Sequence, residues 1–223
     1  MGTPIGHLGD LSARAMTTLR NADLIACETP AVTRELLDRS GIRGQRNLVM
    51  HHDRGATGAR VLEPLRRGRS VALVSDAGMP VISDPGYQLV RAAHHAQVPV
   101  RVVPGPSAIV SAVAASGFPG KPFTFLGFPP KGGAGRGEFL RGAQTAHGAV
   151  VVTESPKRVG RLLKELSQIL GARAASLSWD LTKVTETHWD GTLGQLADRA
   201  EREARDGQLT LVIEPGDAPY RGR

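Results

Sequence analysis

The chain has 223 residues, 40% hydrophobic and 22% charged, a balance that excludes wholesale disorder and suits a folded globular protein, most simply as two domains. No apolar run approaches the roughly 18 to 20 residues of a membrane helix, and the N-terminus lacks the basic and apolar regions of a signal peptide, so a cytoplasmic protein is expected. Cys27 is the single cysteine, which excludes an internal disulfide and any multi-cysteine metal site, and after D-L-I-A it reads as core. The net charge is +7 and 23 of the 28 basic residues are arginine, whose planar fork fits phosphate. Such a balance is compatible with a nucleic-acid partner, although charge alone does not specify RNA.

Thr3 to Asp10, T-P-I-G-H-L-G-D, reads as a loop, with Asp10 or Ser12 capping a helix from Ala13 to Asn21. Asp23 to Cys27 reads as a strand, Thr33 to Arg39 as a helix stopped by Gly41, and Leu48 to Met50 as another short strand. His51, His52 and Asp53 follow it, but adjacent strand residues point to opposite faces, so the two histidines do not readily share an ion and no metal is expected. Ala59 to Arg67 is predicted as a helix closed by Gly68.

The stretch from Ser70 to Gly86, S-V-A-L-V-S-D-A-G-M-P-V-I-S-D-P-G, organises the first half. Val71 to Val74 form an apolar run without alternation, as in a strand buried on both faces of a parallel sheet. Ser75, Asp76, Ala77 and Gly78 then place small residues and one charge at the strand's carboxyl end, where open α/β sheets bind ligands. A plain Gly/Pro loop is the competing reading. Gln88 to Ala96 reads as a helix and Val98 to Val103 as a strand ending in P-G-P-S-A, a second small-residue turn that opens a helix from Ser107 to Ala115.

Residues 119–122 form a Gly/Pro linker between an N-terminal domain, 1–118, and a C-terminal domain, 123–215, with a tail at 216–223. Lys131 to Gly137, K-G-G-A-G-R-G, reads either as a flexible basic lid over an anionic polymer, with Lys131 and Arg136 on phosphate, or as a plain surface loop. Strands are expected at Ala149 to Thr153, Ala174 to Trp179 and Leu209 to Glu214, and helices at Lys157 to Leu170 and Leu193 to Arg205.

Taken together, T-P-I-G-H-L-G-D-L-S-x-R-A, A-L-V-S-D-A-G-M-P-x-I-S-D-P-G, V-P-G-P-S-A, G-F-P-P, E-S-P-K-R and L-T-K-V-T-E resemble the tetrapyrrole methylase superfamily. Within it they are most similar to the ribosomal RNA small subunit methyltransferase I branch. The resemblance covers nearly the whole chain, in order. It implies two α/β domains with S-adenosylmethionine in the cleft between them, a homodimer, and methylation of a ribose 2′-hydroxyl on a decoding-centre cytidine of 16S rRNA in the 30S subunit. Carried over position by position, it implies cofactor contacts at Ile5, Asp76, Ala77, Gly78, Met79, Ser107, Ala108 and Thr153. It also implies a buried strand immediately before Thr3, where this sequence offers Met1 and Gly2, so a start further upstream is expected.

The chain departs from that branch at E-D-T-R, where it has Glu28, Thr29, Pro30 and Ala31, and at H-x-H-N-E, where it has His51 to Gly55. R-E-L-T-K becomes Trp179 to Lys183, and the second glutamate after Glu186 is Thr187. For methyl transfer to a hydroxyl, Glu186 and Glu28 are the candidate bases, with Lys183 orienting the ribose or a phosphate. Two rival readings are transfer to a tetrapyrrole ring carbon and a divergent copy that binds cofactor or RNA without turnover.

Overall fold

The computed structural model describes residues 1–44, 47–51, 57–203 and 205–216, with the side chains of 57–59 left aside. Packing divides the chain at Ser107/Ala108, upstream of the linker that composition suggests. The helix after the P-G-P-S turn packs on the second sheet and so joins the second unit.

The first unit is built on a parallel sheet in the order β2 (Leu48–Met50), β1 (Leu24–Cys27), β3 (Val71–Leu73). Ile25 lies opposite Leu48 on one side and Ala72 on the other. As the middle strand, β1 buries both faces: Ile25 and Cys27 join Leu11, Ala15, Leu19 and Leu37, whereas Ala26 joins Val61 and Leu89. Cys27 is core as expected, and burial pushes its thiol pKa upward.

Among the described residues this sheet is framed by the helices α1 (Ala13–Asn21), α2 (Pro30–Arg39), α3 (Thr57–Arg66) and α4 (Tyr87–His95). Helix α1 buries Ala15 and Leu19, one turn apart, and Ser12 Oγ accepts the Ala15 N–H at 3.1 Å as its cap. Ser12→Ala should therefore lower stability by about 1 kcal/mol in urea denaturation, the usual worth of such a cap. Helix α2 begins at Pro30, earlier than expected, because proline's fixed φ suits a first helical position.

One expected strand does not form. Residues 98–103 join no ladder, although the segment is apolar enough. A strand needs a partner, and among the described residues this segment is bridged to β3 by single bonds from Met1 and Gly2: Met1 N donates to Leu73 O at 2.8 Å and Gly2 N to Val103 O at 3.0 Å.

The second unit holds a mixed five-stranded sheet in the order β4 (Phe123–Gly127), β5 (Ala149–Glu154), β8 (Leu209–Ile213), β6 (Ala174–Trp179), β7 (Thr187–Thr192). Strand β4 runs parallel to β5, and the remaining pairs are antiparallel. Val150, Val152, Leu177, Trp179, Leu211 and Ile213 face α7 (Pro156–Leu170) and α8 (Leu193–Glu203). Helix α7 meets them with Val159, Leu162, Leu163 and Leu166, the i, i+3, i+4, i+7 stripe of an amphipathic helix. The opposite face carries Ala149, Val151 and Val212 against α5 (Ala108–Ala115).

The Lys131–Gly137 segment is only partly loop, since α6 (Gly133–Thr145) starts within it. Arg136 is 5% exposed, with Nε 2.7 Å from Glu165 Oε2 and an NH1 bond of 2.8 Å to Pro130 O. It is a buried clamp and so is withdrawn as a phosphate contact. The pairing with Glu165 and the packing of Phe139, Leu140 and Ala143 on the core outweigh the poor helix propensity of the glycines.

Candidate active site

In the first unit, three loops meet at the carboxyl end of β3. Thr3 and Gly78 exchange both backbone hydrogen bonds, at 2.9 and 3.1 Å, and Thr3 Oγ1 donates to Ser75 O at 3.2 Å. Gly78 has φ +79°, and a Cβ there would touch Ile5 Cγ2 at 3.4 Å and Pro106 O at 3.6 Å. Ile5, Gly78 and the turn leading to Ser107 are thus adjacent, and a side chain at 78 would fill the cradle they make. Ala108 is the next residue in the chain but belongs to the second unit, as the first residue of α5.

Asp76 Oδ1 accepts the Thr29 N–H at 3.1 Å, which ties the turn to the start of α2 beside Glu28. Ala77 and Met79 flank the glycine. A second carboxylate, Asp84, escaped the sequence reading. Burial, helped by the negative charge of Asp76 and opposed by a hydrogen bond from Ser75, raises its pKa above the ordinary value. Between Met79 and Asp84 the backbone holds Val81 and Ser83 at φ +79° and +67°, conformations that non-glycine residues rarely adopt.

In the second unit, a polar row crosses one face of the sheet. Thr153 on β5 lies opposite Thr210 on β8, Thr210 opposite Ser178 on β6, and Ser178 opposite His188 on β7. Ser178 Oγ is 3.1 Å from His188 Nδ1, and His188 Nε2 is 3.0 Å from Glu186 Oε1. Strand spacing places the ends of this row about 14 Å apart. Glu186 also accepts the Thr182 N–H, and the His188 bond followed by the Thr182 bond lowers its pKa. It is therefore ionised at neutral pH and a weak proton acceptor.

Asp180, 6% exposed, is the hub of the loop between β6 and β7. Its carboxylate accepts from Lys183 Nζ at 2.8 Å, Thr185 Oγ1 at 2.9 Å and the Gln208 N–H at 3.1 Å. Burial opposes its charge, yet these donors hold its pKa below the ordinary value. Asp180 and Thr182 sit at φ +52° and +65°, and Arg205 braces the loop through Thr185 O and Thr187 Oγ1, both at 2.9 Å. The result is a loop pinned at its base that presents Lys183, a fully exposed Val184 and Glu186.

The model of the Tetrapyrrole (Corrin/Porphyrin) Methylases family matches residues 1–197. The chain belongs to the tetrapyrrole methylase family. A ribosomal RNA small subunit methyltransferase I of Mesorhizobium japonicum is 40% identical over 98% of this chain and 75% of its own length. One of the same name from Thermotoga maritima is 39% identical over 96% of both chains. Among solved structures, a cobalt precorrin-4 methyltransferase aligns with TM-score 0.70 at 16% identity, covering 96% of this chain and 92% of that one, a likeness of fold.

For a tetrapyrrole methylase, the residues fit a cationic cofactor bearing small polar groups. The first unit offers a glycine cradle and carboxylates for it. Within the second unit, taken by itself, the buried Thr153 Oγ1 has no hydrogen-bond partner among the described residues. A buried hydroxyl without a partner is costly and suits a ligand that supplies one. The His-His-Asp reading lies mostly outside the described residues: His51 is buried and donates its N–H to Cys27 O at 2.7 Å, and nothing is described of His52 and Asp53.

Proposed function

We propose that this chain uses S-adenosylmethionine to methylate the ribose 2′-hydroxyl of a decoding-centre cytidine in 16S rRNA, as a cytoplasmic homodimer acting on the 30S subunit. The observation that carries the reading is the match, over nearly the whole chain, to relatives named for small-subunit ribosomal RNA methyl transfer. The tetrapyrrole enzymes resemble it in fold at much lower identity.

When bound, S-adenosylmethionine supplies a methyl group on a positively charged sulfur, so the protein mainly has to orient and exclude water. Asp76 and Asp84 would offer negative charge to its ammonium, while Ile5, Ala77, Gly78, Met79 and the turn at Ser107 and Ala108 would leave backbone amides open to it. Thr153 Oγ1 would satisfy its hydrogen bond there. Lys183, held by Asp180, would meet the ribose or its phosphate. Transfer would break the methyl's bond to sulfur as the O–C bond forms, and would leave the ribose proton for a base to take. Glu186 supplies fixed charge more readily than basicity, which leaves Glu28 at the end of β1 as the other carboxylate for that proton.

The decisive experiment presents labelled S-adenosylmethionine with unmodified 30S subunits, naked 16S rRNA and a porphyrinogen. Label is expected in RNA, in a dinucleotide resistant to alkali because its 2′-oxygen is blocked. Label in the porphyrinogen supports ring methylation instead, and cofactor binding without transfer to any of the three supports a non-catalytic copy.

A further inference from the structure

In the second unit, β4, β5 and β6 run parallel to one another, so the loops that follow them emerge along one edge of the sheet. The loop after β4 is built to hold one side chain outward. A bulge between Phe125 and Gly127 puts an extra residue into β4, and Gly127 then turns with φ +73°, which re-aims the chain as it leaves the sheet. Phe128 comes next. It is 56% exposed and belongs to none of the apolar clusters formed by the described residues.

The backbone beneath that ring is fixed. Pro129 is buried, and the Pro130 carbonyl accepts from Arg136 NH1 at 2.8 Å, while Glu165 holds the same guanidinium through Nε. Pro130 also lies against Gly135, where a Cβ would stand 3.5 Å from its Cγ. A single exposed apolar side chain is ordinary on a protein surface. This one is carried by two prolines of fixed φ and by a buried ion pair, whose desolvation offsets most of its attraction, so that what the pair secures is geometry.

Lys131, exposed, follows Pro130 directly. The same combination recurs along the edge, since the loop after β6, pinned by Asp180, carries the fully exposed Val184 beside Lys183. Strands β4 and β6 are three strand spacings apart, about 14 Å, and Thr153 on β5 lies between them. Firmly held apolar side chains, each next to a cation, complement a polymer of flat apolar faces joined by anions, which is a single strand of nucleic acid.

We propose that Phe128 is a stacking platform for one unpaired base of the RNA substrate, with Lys131 on the adjoining phosphate, as the strand crosses this edge toward the loop that carries Val184. The inference rests on the reading of the chain as a ribosomal RNA methyltransferase and adds where a base beside the target nucleotide lies. A phenyl face reads no base edge, so the platform fixes the position of the strand and not its sequence. Duplex RNA, whose bases already stack on one another, offers it no free face.

The probes are a single-stranded RNA of about ten nucleotides, the same strand with abasic sites, its duplex, and unmodified 30S subunits. In Phe128→Trp, the emission added over that of the native protein should be quenched by the single strand and left unchanged by the abasic strand and the duplex. Phe128→Ala should weaken binding of the strand, and raise KM for 30S subunits, by about 5- to 100-fold, with kcat, KM for S-adenosylmethionine and Tm nearly unchanged. Phe128→Trp should stay close to the native protein, whereas Phe128→Leu, apolar but without a π face, should follow alanine. The proposal is overturned if Phe128→Ala binds the strand as the native protein does, if leucine restores binding, or if the abasic strand quenches equally. It is also overturned if sedimentation shows that Phe128→Ala dissociates a dimer, which assigns the ring to a second copy. A native protein that binds and methylates RNA whatever stands at 128 loses this platform and keeps its proposed function; one that binds no RNA loses both.

Discussion

Asp180→Ala is expected to lower the unfolding free energy by about 3 to 5 kcal/mol, the sum of orphaned donors at about 1 to 3 kcal/mol each and the cost of alanine at positive φ. The carboxylate gathers Lys183 Nζ, Thr185 Oγ1 and the Gln208 N–H while 6% exposed, so its loss leaves the Gln208 and Thr185 donors with no acceptor and frees the lysine. Asp180→Asn is the informative control, because asparagine tolerates φ +52° and keeps one acceptor oxygen while losing the charge. The folded pKa of Asp180 lies below its ordinary value near 4, so the charge stabilises the fold fully above that value, and its contribution is lost as pH falls through the lower folded pKa. The stability gap between the native protein and Asp180→Asn should therefore be constant from pH 7 to 5 and shrink below pH 4. Urea denaturation across that range measures it. A cost under 1 kcal/mol for alanine, or a gap indifferent to acid, removes Asp180 as the hub.

Strands covered on both faces left the plainest mark in the sequence. Strands β5 and β8 lie in the sheet interior, and A-V-V-V and L-T-L-V-I read as strands because both faces are covered. Strand β7 is an edge with Trp189 as its one buried residue, so T-H-W-D-G-T carries no apolar alternation to notice. Helix α6 was hidden by its glycines, which argue against a helix until the Arg136–Glu165 pair and the packing below are known. Segment 98–103 fails in the opposite sense: its composition suits a strand, but a ladder is a property of two segments, and composition describes one.

The site divides along the same line. The central turn was picked out because small residues and a carboxylate follow an apolar run, with a plain Gly/Pro loop as the competing reading; the run itself is only half-buried at Val71 and Leu73, not covered on both faces as expected. The hub and the polar row of the second unit were not picked out. Ser178 meets His188 through cross-strand register, and Asp180 meets Gln208 across 28 positions of sequence. Neither relation leaves a spacing that marks it. Glu186 and Lys183 were found through motif resemblance, but their partners, which decide how basic one is and where the other points, came from the fold.

Asp76→Ala is expected to weaken S-adenosylmethionine binding by about 10- to 100-fold, the worth of one charge-assisted contact of about 1.5 to 3 kcal/mol, in a protein that still folds. The side chain lies in a loop, where it accepts the Thr29 N–H, so the fold loses little. Asp76→Asn separates charge from hydrogen bonding: it keeps an acceptor for Thr29, and if it binds as weakly as alanine, the charge was what the cofactor's ammonium used. A second readout needs no cofactor. The negative charge of Asp76 helps to raise the pKa of Asp84, so removing it should bring the Asp84 titration, followed by NMR, down toward the ordinary carboxylate range, with burial still holding it somewhat high. Because a raised carboxylate pKa makes folding less favourable as pH climbs from its unfolded value through its folded one, the variant should also lose less stability across that interval than the native protein does. Calorimetry showing unchanged cofactor affinity, together with a shifted Asp84, would keep the electrostatic pair and remove Asp76 from the cofactor site; no change in either would dismiss the negative turn altogether.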